Sequence, residues 1–231
     1  MRPIWPDAPC DTRGEWQLKL ESSPSQSLLM PFSPLGLSPA LLRAVNAKAY
    51  LAPTPIQMAA IPAALQGRDV LGSAQTGSGK TLAFALPLLQ QMEDAPASRP
   101  RRLSALVLVP TRELCAQVGE EIRSLGAHLA HAPKVSIVFG GVSINPQLLR
   151  LRGGTDVVVA TPGRLLDLVA HNALDLSSVA TLVLDEADRL LDLGFAEELG
   201  AILAQLPSVR QNLFFSATFP PTVKVLASTA A

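Results

Sequence analysis

Neither sign of charge dominates this chain, in which 19 lysines and arginines stand against 19 aspartates and glutamates over 231 residues. Without a global positive field, any contact with a polyanion must come from local features. Cysteine is scarce as well. The two present, Cys10 and Cys115, lie far apart with no C-x-x-C partner, which argues against a structural zinc site or a disulfide scaffold. Cys115 reads as a small residue on a helix, Cys10 as part of a tail. The longest apolar runs are strand-sized and broken by charge or glycine, too short to span a membrane. The opening Met1-Arg2-Pro3-Ile4-Trp5-Pro6 has no apolar core of a secretory signal. A cytoplasmic protein is the expectation. What the chain does have is core material: it is 48% hydrophobic and 16% charged, a well-cored globular composition long enough for one large α/β domain or two small ones.

Residues 1–31 differ from the rest. Pro3, Pro6, Pro9, Pro24 and Pro31, with Ser22-Ser23-Pro24-Ser25, predict an irregular extension in which Trp5 and Trp16 are candidate anchors. From Phe32 onward, short apolar runs alternate with longer amphipathic segments. Strands are expected at 69–71, 105–109, 135–139, 157–160, 182–184 and 213–215, with helices such as 112–129 and 195–206 between them. Continuous Val/Leu runs separated by helices indicate a parallel sheet covered on both faces, a doubly wound α/β domain.

Two features carry the chemistry. Ala74-Gln75-Thr76-Gly77-Ser78-Gly79-Lys80-Thr81 follows an apolar run and is a phosphate-cradling loop, although Ala74 stands where the strict pattern has its first glycine. Lys80 is expected to reach the β and γ phosphates of a nucleotide, and the Thr81 hydroxyl to ligate Mg²⁺. Asp185-Glu186-Ala187-Asp188 follows Leu182-Val183-Leu184. Alone, such a run reads as a solvated helix start. Paired with the loop, Asp185 becomes the second Mg²⁺ ligand, acting partly through water, and Glu186 the base or orienter for an attacking water. Asp188 is expected to make polar contacts within the domain. This is how a nucleoside triphosphatase divides its labour.

Three strand-to-helix joins share one chemistry. Pro110-Thr111-Arg112-Glu113, Thr161-Pro162-Gly163-Arg164 and Ser216-Ala217-Thr218-Phe219-Pro220 all fall at the C-terminal edge of a parallel sheet, beside the phosphate loop. Thr111 and Thr161 are placed as N-caps and Pro162 in the first turn. Helix N-termini there, with Arg112 and Arg164, offer anion sites without a basic surface. Thr54, Pro55 and Gln57 read as a capping box. By position alone Gln57 is no ligand, and Phe32 is an aromatic near a domain start, for which packing is the simpler reading.

Taken jointly and in order, these residues resemble the DEAD-box ATP-dependent RNA helicases, specifically their first RecA-like domain. Phe32 with Tyr50-Leu51-Ala52-Pro53-Thr54-Pro55-Ile56-Gln57 resembles the Q motif, and Ala74 to Thr81 resembles motif I, where that family also carries Ala first. Pro110 to Leu114 is similar to motif Ia, Gly140-Gly141 to the GG motif, and Thr161 to Arg164 to motif Ib. Asp185 to Asp188 matches motif II letter for letter, and Ser216-Ala217-Thr218 resembles motif III. The stretch Asp188 to Phe195 looks bacterial within the family.

The resemblance runs from Phe32 to the C-terminus and implies a RecA-like ATP-binding domain over 32–231. It implies that Gln57 reads adenine while Phe32 stacks on it. Pro110, Thr111, Arg112, Gly141, Thr161, Gly163 and Arg164 become RNA-backbone contacts. Asp188, Ser216 and Thr218 become the link from hydrolysis to strand separation. Two residues depart from the pattern: Ala49 replaces a usual Gly, and Cys115 a usual Ala.

The family's second RecA-like domain, with its arginine fingers, is absent from this chain, and the ending Ser228-Thr229-Ala230-Ala231 is consistent with truncation. An arginine finger supplies about 10³–10⁵ in rate. The isolated domain is therefore expected to be a monomer that binds ATP and Mg²⁺ but hydrolyses slowly. Two rivals stand beside this reading. One is a nucleotide-gated RNA-binding or scaffolding module without catalysis, which the retention of Lys80, Asp185 and Glu186 argues against. The other is a DNA-directed helicase or another P-loop ATPase, which the Q-motif resemblance suits poorly.

Overall fold

The computed structural model describes residues 32–95 and 100–230; the expected extension over 1–31, with Trp5, Trp16 and Cys10, lies outside them. Among the described residues a 3₁₀ turn (Ser33–Leu35) and helices α1 (Pro39–Ala47) and α2 (Pro55–Leu65) precede the first strand. The chain then alternates through β1 (Val70–Ser73), α3 (Lys80–Asp94), β2 (Ala105–Leu108), α4 (Arg112–Gly126), β3 (Val135–Val138), α5 (Asn145–Leu151), β4 (Val157–Ala160) and α6 (Pro162–Ala170). It closes with β5 (Thr181–Leu184), α7 (Ala187–Asp192), α8 (Ala196–Leu203), β6 (Gln211–Ser216) and α9 (Pro221–Ala230).

Each expected strand is present within a residue or two. The sheet order is β1-β6-β5-β2-β4-β3, and every described pair is parallel. Period-two alternation divides the core. Ala105, Val107, Val157, Val159, Val183, Leu213 and Phe215 face one layer, with apolar residues of α1 to α4. Leu106, Leu108, Val158, Ala160, Leu182, Leu184 and Phe214 face the other, with residues of α5 to α9. Both faces are covered, which is why the strands read as unbroken apolar runs.

Strand β3 stops one residue short of Phe139 for a local reason. Gln147 of α5 accepts from the Phe139 N–H and donates to its carbonyl, both at 3.1 Å, replacing a neighbouring strand at the sheet's edge. Cys115 is fully buried on α4, and its thiol donates toward Val159 O at 3.1 Å. Burial pushes that thiol up to about 12, against a smaller opposing contact with Val138 O. It is an inert packing residue, as expected.

Helix α1 ends in a Schellman turn, with Tyr50 N–H donating to Val45 O at 3.2 Å and Ala49 N–H to Asn46 O at 2.9 Å. That motif needs a left-handed residue at its centre, normally glycine. Here the residue is Ala49, at φ 57°. The departure from the family pattern is thus a strained position. A Cβ in this region costs about 1–2 kcal/mol, partly offset by the greater chain entropy glycine loses on folding. Ala49→Gly is expected to stabilise the domain by about 0.5–1 kcal/mol, read as a higher denaturation midpoint at unchanged m-value.

Candidate nucleotide site and anion groove

The phosphate loop joins β1 to α3. Gly77 and Gly79 adopt left-handed φ of 83° and 89°, the backbone region that lets such a loop turn tightly ahead of α3. Lys80 opens the helix and is only 6% exposed. Its Nζ donates to Ala74 O at 2.9 Å, across the mouth of the loop that a phosphate chain would fill. Gln75, Thr76 and Gly77 are exposed, Ala74, Ser78 and Thr81 half-buried. The Ser78 hydroxyl is buried with no hydrogen-bond partner.

Gln57 reaches the loop from α2. Its Oε1 accepts from Thr54 N–H at 2.9 Å, one half of the expected capping box, while Nε2 donates to Gly79 O, also at 2.9 Å. A Cβ at residue 79 would lie 2.3 Å from that nitrogen, so glycine is required there by contact as well as by φ. The clasp joins residues 22 apart and leaves the amide one free N–H and a free lone pair. Phe32 is 4% exposed and packs in the hydrophobic core. Packing, the simpler of the two readings, therefore describes it in this state.

Asp185 ends β5, two strands from the loop, and is 3% exposed. Burial raises its carboxyl to about 6, even though Lys80 pulls it down and the Glu186 N–H donates to it at 3.0 Å. Glu186 sits at φ 53°, a strained geometry for a non-glycine residue and one that concentrates at functional sites. Its carboxylate pairs with Arg189 at 3.3 Å. Asp185 and the Thr81 hydroxyl supply hard oxygen donors of the kind Mg²⁺ takes. No cluster of three or more His, Cys, Asp or Glu residues able to hold a metal occurs among the described residues. The buried carboxylate has little compensating charge besides Lys80, so the donor set fits Mg²⁺.

Strand β6 lies between these two and carries the link. The Ser216 hydroxyl accepts from Asp188 N–H at 3.1 Å, and the Asp188 carboxylate accepts from the Thr218 N–H at 2.9 Å and hydroxyl at 2.8 Å. Burial pushes the Asp188 carboxyl up, but hydrogen bonds from Thr218, Ser216 and Arg189 outweigh it and hold it below the usual carboxylate range. A depressed acid stabilises the fold above its unfolded pKa of about 4, and that contribution fades as pH falls through the lower folded value. Thr218→Val should therefore lower stability at neutral pH, and the gap from the parent should close at acid pH. Denaturant titrations at the two extremes measure this.

A second concavity, about 380 Å³, opens over β2, β4 and β3 and is lined by Pro110, Thr111, Arg112, Glu113, Gly140, Gly141, Thr161 and Phe195. Thr111 caps α4, its hydroxyl accepting from Leu114 N–H at 3.2 Å. Thr161 differs from expectation. It holds the N-cap position of α6, but its side chain makes no capping bond and accepts instead from Gly140 N–H at 3.3 Å. The β3 loop competes for that hydroxyl and wins. Gly141, at φ 77°, has no Cβ to obstruct the Arg112 guanidinium, which lies 2.9 Å from where one would stand. Arg164 is buried under this loop and donates to Val142 O at 2.7 Å, while Gly163 is half-buried beside it. Phe195 also lines the groove, and nothing in the sequence marks it as facing there.

A phosphate loop and an acidic strand end at one edge of a parallel sheet, with helices on both faces, define a RecA-like P-loop domain. The family of DEAD/DEAH box helicases matches residues 54–226, and the chain belongs to it. It is 46% identical over 195 residues to the DEAD-box ATP-dependent RNA helicase CshA of Streptococcus pneumoniae, covering 84% of this chain and 36% of that protein. It is 47% identical over 208 residues to the ATP-dependent RNA helicase DeaD of Mycobacterium tuberculosis, covering 90% and 36%. The crystal structure of a DEAD box protein from Methanococcus jannaschii superposes with a TM-score of 0.79 at 38% identity, over 87% of this chain and 53% of that one. The yeast splicing factor Prp28 gives 0.77 at 38% identity, over 84% and 48%. The chain thus spans about a third of the length of these curated relatives. No helix among the described residues is long and apolar enough to cross a membrane.

Proposed function

We propose that this chain is the ATP-binding and catalytic half of an ATP-dependent RNA helicase. The observation that carries the reading is the division of one sheet edge. Its β1-β6-β5 half holds Lys80, Asp185 and Glu186 around a phosphate loop, and its β2-β4-β3 half holds the groove of Thr111, Arg112, Gly141 and Thr161. In this reading residues 32–231 form the functional domain. Gln57 reads adenine with the hydrogen-bonding capacity left free by its clasp. Lys80 binds the β and γ phosphates, and Glu186 positions and deprotonates water. Thr81 and Asp185 hold Mg²⁺, which offsets charge on the phosphates when bound.

RNA phosphates lie against Pro110, Thr111, Arg112, Gly141, Thr161 and Gly163, with Arg164 supporting the loop from beneath. Phosphate recognition by backbone amides and one or two arginines needs no basic surface, in keeping with the neutral chain. The Asp188–Ser216–Thr218 contacts tie the acidic strand end to β6, the strand paired with both β1 and β5, and a second domain contributes the remaining charge at the phosphates.

The test is RNA-stimulated ATP hydrolysis, measured for this chain alone and for the chain joined to a second RecA-like domain. Tight ADP binding with negligible turnover alone, and strong stimulation once joined, is the expected result. Robust RNA-stimulated turnover by the chain alone refutes the division of labour. Absence of ADP binding refutes the nucleotide site.

A further inference from the structure

The strained Ala49 turn does more than end a helix. Residues 48 and 50, on either side of it, converge on one acceptor. Lys48 Nζ donates to Glu121 Oε2 at 2.5 Å and the Tyr50 hydroxyl to Glu121 Oε1 at 3.2 Å. Glu121 belongs to α4, the helix whose first turn carries Thr111 and Arg112 in the groove. The pair is sheltered, with side-chain exposures of 24% for Lys48 and 18% for Glu121. A left-handed alanine persists where neighbouring contacts over-determine it, and this pair of bonds, one to each Glu121 oxygen, supplies that determination.

What the contact holds is the loop leading to Gln57. Four residues beyond Tyr50, the Thr54 N–H donates to Gln57 Oε1 and so decides which end of the amide is oxygen, while Gly79 O accepts from the nitrogen end. Adenine presents an amino donor beside the N7 acceptor, whereas guanine presents two acceptors, O6 and N7. An amide with one free N–H and one free lone pair in fixed order matches the adenine edge and sets an acceptor against guanine O6. Base discrimination therefore depends on where the Thr54 N–H sits.

We propose that Glu121 is a specificity-determining positioning residue, which anchors Lys48 and Tyr50, fixes the loop that orients the Gln57 amide, and so sets the preference for adenine over guanine nucleotides. The proposal rests on the reading of Gln57 as the base reader.

The test compares Mg²⁺-dependent binding of ADP, GDP and inorganic pyrophosphate by the parent chain, Glu121→Gln, Tyr50→Phe and the double variant. Both substitutions are close to isosteric, so the fold is retained. Each single variant should lower the ADP-to-GDP affinity ratio by about 3- to 10-fold, the range of one or two lost hydrogen bonds. Pyrophosphate affinity should stay unchanged. The double variant should be no worse than the poorer single, because both act on one contact.

Tyr50 is the chain's one tyrosine. Burial, and then the Glu121 carboxylate, hold its hydroxyl above the usual phenol range. Its ultraviolet titration should therefore move to lower pH in Glu121→Gln, verifying that the intended contact was removed. An unchanged ADP-to-GDP ratio in both single variants overturns the proposal. So does equal weakening of ADP, GDP and pyrophosphate, the mark of a merely structural role. A parent chain that binds ADP and GDP equally defeats the Gln57 reading itself, and this proposal falls with it.

Discussion

Glu186→Gln is expected to slow ATP turnover by about 10²–10⁴, the usual contribution of a positioned general base, while nucleotide affinity changes little. The measurement belongs in the chain joined to a second RecA-like domain, where turnover is expected to be large enough to lose. Glu186 is half-buried beside Asp185, and its N–H donates to that carboxylate. Glutamine keeps the shape, the backbone N–H and a contact to Arg189, and pays the same left-handed penalty at φ 53°. Only the capacity to accept a proton is lost. Binding should thus survive where chemistry fails. Unchanged turnover would remove Glu186 from the reaction, whereas negligible turnover in the joined parent would favour the non-catalytic, nucleotide-gated RNA-binding module.

Lys80→Ala is expected to weaken ADP binding by about 10²–10³, since truncating one partner of a buried, hydrogen-bonded charge contact costs about 3–4 kcal/mol. Lys80 is 6% exposed, and among the described residues its Nζ donates to Ala74 O. That carbonyl is given up readily to a phosphate oxygen, because a charge-assisted bond to an anion is the stronger one. The loss also strips Asp185 of the charge that pulls its carboxyl down, so the carboxylate proposed to hold Mg²⁺ becomes harder to ionise. Direct titration with ADP in the presence of Mg²⁺ measures the effect. An affinity within about threefold of the parent would be too small for loss of a buried charge contact and would move the phosphates elsewhere.

Several parts of this site were legible because they are local. The phosphate loop needs glycines and Lys80 at fixed spacing, and a helix N-terminus needs its cap beside it. Thr111 behaves as its position indicates. Thr161 does not, because a loop 21 residues away offers its Gly140 N–H to the same hydroxyl. Gln57 was legible as a capping residue, and the family resemblance adds the expectation of a ligand. Its clasp on Gly79 was not, since nothing in either segment encodes their approach. Phe32 shows the opposite case: an aromatic assigned to the base by resemblance lies in the core in this structure. Ala49 was visible only as a departure from a pattern. Its cost became apparent once φ 57° and the Schellman bonds were known.

By itself the sequence determined the α/β class, the parallel strands, the phosphate loop and the acidic strand end, because each is encoded by short-range periodicity or by a spacing that permits one local geometry. Strand order is different. Pairing of β1 with β6, across more than 140 residues, and of β2 with both β4 and β5 follows from how two apolar faces are buried together, a property of the whole chain. That order alone brings Asp185 to Lys80, places Ser216 between them, and gathers Thr111, Gly141 and Thr161 into a separate groove. It also sets Glu121 against Lys48 and Tyr50. The tertiary structure thus decided which of the legible residues act together, because burial, unlike a motif, has no fixed distance along the chain.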